Sequence, residues 1–135
     1  MVVFFDTNVV LDYFLDRDGF AEDARLLLRK CYDEKLTGYI SSNTIADVFY
    51  ITRKQFSAKA RRAKLYDLCE FVKAVGLEHE NVISAIENEK FADLEDCLQS
   101  ECAEKIAAKY IITRNVKDFA NSKIPAITPS DFLRL

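Results

Sequence analysis

The sequence predicts a three-layer α/β/α domain around a parallel sheet of four to five strands. Three observations carry that prediction. Short β-favouring apolar runs recur along the whole of its 135 residues. Stretches with helical periodicity separate those runs. The opening run, Val2-Val3-Phe4-Phe5, is apolar on both faces, as suits a central parallel strand. Strands alternating with helices imply right-handed crossovers, and ligands in such sheets bind outside the strands' carboxyl ends.

The elements follow in order. After the strand at 2–5, Thr7 or Asn8 is placed to cap a helix containing Val9, Val10, Tyr13 and Phe14. Gly19 marks a break. Residues 20–34 put Phe20, Ala24, Leu27, Leu28 and Cys31 on one helical stripe. Gly38 ends that unit, and Tyr39-Ile40-Ser41 reads as the second strand. Ser42 or Asn43 is a suitable N-cap for a helix through Phe56. Ser57 caps another over 58–74, whose outer face, with the end of the preceding helix, is basic: Lys54, Lys59, Arg61, Arg62 and Lys64. Val75-Gly76-Leu77 is expected as a third strand, 80–88 as a short helix, and Asp93 as the cap of a longer helix to Ala108. Tyr110 to Thr113 is the fourth strand. Pro125-Ala126-Ile127 is expected at a sheet edge, because proline cannot donate to a ladder. Pro129 starts a terminal helical turn through Leu133.

Half the residues are hydrophobic and are spread along the chain, with only three glycines and two prolines. This composition predicts one domain over 1–135, without a linker or a disordered tract. The net charge of −3 argues against a surface built mainly to grip nucleic acid, whose footprint is basic. It leaves room for a nuclease, because bound cations reverse the sign around a cluster of acids. Cys31, Cys69, Cys97 and Cys102 form no C-x-x-C pair, and His79 is the lone histidine, read as an exposed loop residue. A structural zinc site is therefore not expected, and the cysteines read as small buried side chains in a reducing compartment. The chain shows neither a signal-peptide pattern nor an apolar stretch of membrane-spanning length, so a cytoplasmic location away from membranes is expected.

The informative residues are acids next to apolar segments. Asp6 directly follows the first strand, where burial without a partner is costly. A helix N-cap is its bland role, but Thr7 and Asn8 can fill that role too. Asp47 lies in the apolar helical stretch Ile45 to Ile51. Asp93 and Asp96 are three apart, which puts both on one helical face about 5–6 Å apart at Cβ. Asp93 fits equally as a ligand or as a cap, and Glu95 points elsewhere by spacing, towards solvent. After the fourth strand, Thr113 or Asn115 could bond a metal-bound water, and Asp118 could add a carboxylate or simply cap a loop. Several such carboxylates gathered at one sheet edge make a site for hard divalent cations, Mg²⁺ or Mn²⁺, and so for phosphodiester hydrolysis. No phosphate-cradling glycine loop occurs, so nucleotide-hydrolysis and dinucleotide readings lack support.

Taken together, these residues resemble a PIN domain. Val3-Phe4-Phe5-Asp6-Thr7-Asn8-Val9-Val10-Leu11-Asp12 is similar to the family's opening. Ser41-Ser42 followed by Asp47, then Asp93-Leu94-Glu95-Asp96-Cys97-Leu98-Gln99, and Thr113-Arg114-Asn115-Val116-Lys117-Asp118-Phe119 resemble its later blocks in the same order. The resemblance implies a Mg²⁺- or Mn²⁺-dependent ribonuclease acting on RNA, often the toxin partner of a small antitoxin protein and commonly a homodimer. It carries over Asp6, Asp47, Asp96 and Asp118 as catalytic acids and Asp6, Asp93, Asp96 and Asp118 as metal ligands. Asn8, Ser42, Thr113 and Asn115 take supporting roles. The family's fourth acid most often stands where this chain has Asn115, so either Asp118 replaces it or a second metal is held weakly. Two rivals remain: a haloacid-dehalogenase-like phosphatase, which needs an Asp where Asn8 stands, and a non-catalytic PIN-fold module for binding a protein. The apolar residues of segments 9–15 and 44–56 suggest surface left over for a second copy.

Overall fold

The computed structural model describes residues 1–135. Five strands, β1 (Val2–Phe5), β2 (Thr37–Ser41), β3 (Val72–Val75), β4 (Tyr110–Ile112) and β5 (Ala126–Ile127), form one sheet in the order β3-β2-β1-β4-β5. Every pairing is parallel. The seven helices are α1 (Thr7–Phe14), α2 (Ala21–Tyr32), α3 (Ser42–Ile51), α4 (Ala58–Cys69), α5 (His79–Glu87), α6 (Leu94–Lys105) and α7 (Pro129–Leu133). Two 3-10 turns, Thr52–Lys54 and Val116–Phe119, complete the chain.

The sheet separates two apolar layers, and strand alternation decides which residue enters which. Val3, Phe5, Ile40, Val72 and Ile112 pack with α1 to α4 and with Phe132 of α7. Phe4, Val75 and Ile111 turn the other way, onto Cys102 and Ala103 of α6 and onto Phe119. The central position of β1 explains its uninterrupted apolar sequence. Val3, Phe4 and Phe5 are fully buried, and each phenylalanine contributes roughly 2–3 kcal/mol of burial free energy.

Several boundaries differ from those expected. Gly38 lies inside β2 rather than ending the preceding unit. A Cβ there would come within 2.7 Å of both Cys31 Sγ and the Phe5 ring, so close packing demands glycine. The third strand is Val72–Val75, not 75–77, because its register runs Gly38↔Val72 to Ser41↔Val75; α4 accordingly stops at Cys69. Ser41, rather than Ser42 or Asn43, caps α3 by accepting from the Asn43 N–H at 3.1 Å. The α3 helix ends at Ile51, where Thr52 turns its hydroxyl back to the Val48 carbonyl at 2.7 Å, a contact that favours bending. α6 ends at Lys105. Three cysteines are buried as expected, but Cys69 is exposed, and all four are free thiols. The α1 helix is largely core, leaving Tyr13 as its exposed large apolar residue, so it does not offer the spare surface anticipated from residues 9–15.

The strand order reverses direction between β1 and β4. Chain connections leave these neighbouring strands in opposite directions there, opening a crevice at their carboxyl ends. No helix is long and apolar enough to cross a membrane.

Candidate functional site

Asp6 occupies that crevice. Its N–H continues the ladder to the Ile112 carbonyl at 3.0 Å, and Thr113 N–H continues it to Ile127 at 3.0 Å, so the backbones beyond β1 and β4 are pinned side by side. The Asp6 carboxylate is 4 % exposed and makes no side-chain cap bond to α1. The cap reading therefore does not describe it. Gln99 Nε2 donates to Oδ1 at 3.0 Å and Thr113 Oγ1 donates to Oδ2 at 2.8 Å.

This grip is locked from behind. Gln99 Oε1 accepts the Thr7 N–H at 3.3 Å, which fixes the amide's orientation, and Thr7 Oγ1 meets Thr44 Oγ1 at 2.8 Å. Thr113 Oγ1 also accepts the Asn115 N–H at 2.9 Å. Thr113 is thus a fully buried strut for Asp6 rather than a holder of metal-bound water. All these donors are neutral. Burial raises the Asp6 carboxyl above the usual carboxylate range, against the hydrogen bonds from Thr113 and Gln99 and the nearby Thr7 N–H dipole, and Asp118 adds a smaller push upward.

The other acids arrive from α6, α3 and the loop after β4. Asp93 caps α6, its Oδ1 accepting the Asp96 N–H at 3.2 Å. This is the bland role weighed for it, although its charge still reaches Asp96 and Glu95. The half-buried Asp96 is pushed up to about 7, by burial first and then by Asp93, Asp6, Asp118 and Glu95. Glu95 is exposed, as its spacing suggested, yet it stays within reach of the neighbouring acids' charge. Its carboxyl is raised by burial, by a hydrogen bond with Asp47, and by the charges of Asp47, Asp93 and Asp6. Glu95 is thus linked electrostatically to Asp47, Asp93 and Asp6. Asp118 is exposed, but its charge is felt at both Asp6 and Asp96. Asn115 caps the 3-10 turn and is exposed, Asn8 is half-buried, and Ser42 is exposed as the first residue of α3. The structure gives no side-chain hydrogen bond to Asn8 or Ser42 at the site.

No three of these acids close around a common point as a preformed cage would. Uncompensated carboxylates repel one another, and the raised Asp6, Glu95 and Asp96 record that repulsion together with burial. The donor set is all oxygen, which fits a hard divalent cation and not a thiophilic one. The N-terminus of α6, directed at the cluster by Asp93 to Asp96, offsets part of the negative charge.

Behind this edge sits an ion pair that the sequence reading left without a role. Asp12 on α1 is 1 % exposed. Arg114 Nη2 donates to its Oδ1 at 3.1 Å, and Arg114 Nε approaches Oδ2 at 2.8 Å without its N–H aligned for a hydrogen bond. Arg17 adds a contact at 3.3 Å. The Arg114 guanidinium also stacks on Phe20 at 4.1 Å. Since Arg114 lies between Thr113 and Asn115, the pair anchors the loop that carries the Asp6 strut. The sequence contained two signals for the missed residues: Gln99 repeats the three-residue spacing of Asp93 and Asp96, and Asp12 interrupts an apolar helical stripe.

Residues 2–117 match the family model described as a PIN domain. The chain belongs to the PIN domain family. It is 31 % identical over 133 residues to Ribonuclease VapC1 of Aquifex aeolicus, covering 96 % of this chain and 92 % of that protein. Solved structures share the fold at lower identity. A toxin-antitoxin complex from Klebsiella pneumoniae superposes with a TM-score of 0.69 at 24 % identity, over 94 % of this chain and 97 % of that one. VapBC-1 from nontypeable Haemophilus influenzae gives 0.71 at 15 % identity, over 96 % and 99 %. VapBC2 from Rickettsia felis, bound to a promoter DNA fragment, gives 0.68 at 18 % identity, over 95 % and 98 %.

Proposed function

We propose that this PIN domain is a Mg²⁺- or Mn²⁺-dependent endoribonuclease that hydrolyses RNA phosphodiester bonds, works in the cytoplasm as the toxin of a toxin–antitoxin pair, and is formed by the single domain 1–135. The observation that carries the reading is Asp6, a buried carboxylate at the switch point, held by two neutral donors and within reach of the charges of Asp96 on α6 and Asp118 in the loop after β4. Support for RNA as substrate comes from the similarity to Ribonuclease VapC1, and support for an antitoxin partner from the likeness to chains solved in toxin-antitoxin complexes.

Asp6 and Asp96 are the principal residues that would hold the cation, with Asp93 and Asp118 beside them. When bound, the cation would supply charge neutralisation at the scissile phosphate and lower the pKa of a water so that it attacks as hydroxide after losing a proton. Gln99 and Thr113 keep the Asp6 carboxylate from rotating, so its free lone pairs present a fixed direction to the crevice. Asp47 and Glu95, whose charges act on each other, extend the acidic wall. No side chain is required as a nucleophile, in keeping with an exposed His79 and buried or unpaired thiols.

A non-catalytic binding module has no use for an acid buried at such cost, whereas a catalytic centre does. The deciding experiment is cleavage of a mixed-sequence RNA by purified protein in EDTA, Mg²⁺ and Mn²⁺. Cleavage in either metal and none in EDTA is expected. Equal cleavage in EDTA, or none in any condition, would overturn the proposal.

A further inference from the structure

Positive charge is unevenly placed in this chain. Residues 48–66 hold Arg53, Lys54, Lys59, Arg61, Arg62 and Lys64 with no Asp or Glu among them. The rest carries thirteen of the 19 cations against all 22 acids, a net charge of −9. Ordinary solvated faces mix signs, as α2 does with its Arg25–Glu22 and Arg29–Asp33 pairs. None of the six cations takes part in any of the structure's ion pairs.

Four of them, Arg53, Arg61, Arg62 and Lys64, are instead arranged on aromatic rings. Arg53 lies 4.0 Å from the Tyr50 ring centroid, Arg61 4.1 Å from that of Phe49, and Lys64 4.7 Å from that of Phe56. Arg61 is further fixed by donating to the Phe49 carbonyl at 2.6 Å. Stacking restrains the long side chains and leaves their charge unneutralised. Tyr50 and Tyr66 remain 63 % and 71 % exposed on the same helical hairpin. Unpaired cations interleaved with open aromatic rings match what single-stranded nucleic acid offers, phosphates along the backbone and bases with π-faces. An acidic polypeptide would use the charges but has no need of the rings. The hairpin is also continuous with the candidate site, because α3 carries Asp47 on its way to Tyr50.

From this arrangement we infer that the α3–α4 hairpin is the RNA-docking face, binding single-stranded RNA through its phosphates and delivering it to the acid-lined crevice. The choice of RNA rests on the ribonuclease reading; the existence of a basic docking face does not. It also resolves how an acidic chain engages a polyanion: one pole attracts while the other carries the chemistry.

The test is equilibrium binding of a fluorescein-labelled single-stranded RNA of about 12 nucleotides, in EDTA so that binding is read without cleavage, over a series of salt concentrations. One variant combines Lys54→Ala, Lys59→Ala and Arg62→Ala. A control removes the same charge from elsewhere, by Lys30→Ala, Lys35→Ala and Lys109→Ala, two of which precede strands at the opposite end of the sheet. The hairpin variant is expected to bind on the order of tenfold or more weakly at low salt, with the slope of log K against log salt reduced by about 2. The control is expected to bind within about twofold of wild type, since counterion release counts only contacted phosphates. Equal losses in the two variants, or none in either, overturn the inference and assign the hairpin to another partner. Binding that follows the expected pattern in a protein that never cleaves RNA would leave this inference standing and remove the ribonuclease reading.

Discussion

Replacing Asp96 by Asn should stabilise the metal-free protein, and only above the acid range. The folded carboxyl is pushed from its ordinary 3.8 to about 7 by burial and by Asp93, Asp6, Asp118 and Glu95. A raised carboxyl favours folding while protonated. As pH climbs past 3.8, the unfolded chain ionises freely and the folded one does not, so stability drains away until about pH 7. At full weight three units amount to about 4 kcal/mol. The side chain is well within reach of water, and screening there cuts the effect to roughly 1–2 kcal/mol. Asp96→Asn removes this penalty, so it should raise the melting temperature by roughly 4–7 °C at pH 8 for a chain of this length. At pH 3.5 to 4 the variant should match wild type. Urea unfolding in EDTA at several pH values reads the difference directly, and comparing variant with wild type at each pH cancels the titration of acids that do not interact with Asp96. A variant equally stable to wild type at pH 8, or one stabilised by the same amount at pH 4, would refute the reasoning.

Other expectations follow from particular contacts. Asp12→Ala strands a mostly buried Arg114 and should cost about 2–4 kcal/mol by chemical denaturation; because the loss is shared, Asp12→Ala combined with Arg114→Ala should cost clearly less than the sum, and strict additivity would deny the pair. Asp118→Ala should reduce RNA cleavage as severely as Asp47→Ala, and Asn115→Ala less, since a carboxylate whose charge reaches Asp6 and Asp96 neutralises a cation where an amide only coordinates it. A wild-type level in Asp118→Ala beside a dead Asn115→Ala would reverse that assignment. The chain is expected to form a homodimer, using exposed apolar side chains such as Ile83 and Ile86. Sedimentation at micromolar concentration checks this, a monomer there being the contrary result.

Much of the layout could be read from local sequence, for a physical reason. A doubly covered parallel sheet needs short apolar strands, and Val2 to Phe5 or Tyr110 to Ile112 announce themselves. Edge strands do not: Lys73 and Ala74 of β3 are exposed, so the run at 75–77 looked the better strand until pairing with β2 set the register. Acids at strand ends and helix starts were legible because burial of charge is expensive wherever it occurs. Residues acting through tertiary contact were not. Glu95 sits one place off the Asp93–Asp96 face, and only the approach of α3 makes Asp47 its neighbour. Gln99 shares the spacing of Asp93 and Asp96, but its partner, Asp6, is 93 residues away in sequence and is set only by the fold. Asp12 and Arg114, 102 residues apart, become partners only in three dimensions.

The central claim is that Asp6 works as a catalytic acid and not as a structural cap. Asp6→Asn keeps the shape and an acceptor for Thr113 while removing the charge. Wild type and variant, purified identically with nuclease contamination excluded, should be compared for RNA cleavage in Mn²⁺ alongside thermal melting in EDTA. The account predicts abolished cleavage in a protein that still folds and melts near wild type, because losing the buried-carboxylate penalty offsets losing the Gln99 hydrogen bond that the amide cannot accept. A folded Asp6→Asn protein that cleaves at the wild-type rate would contradict it.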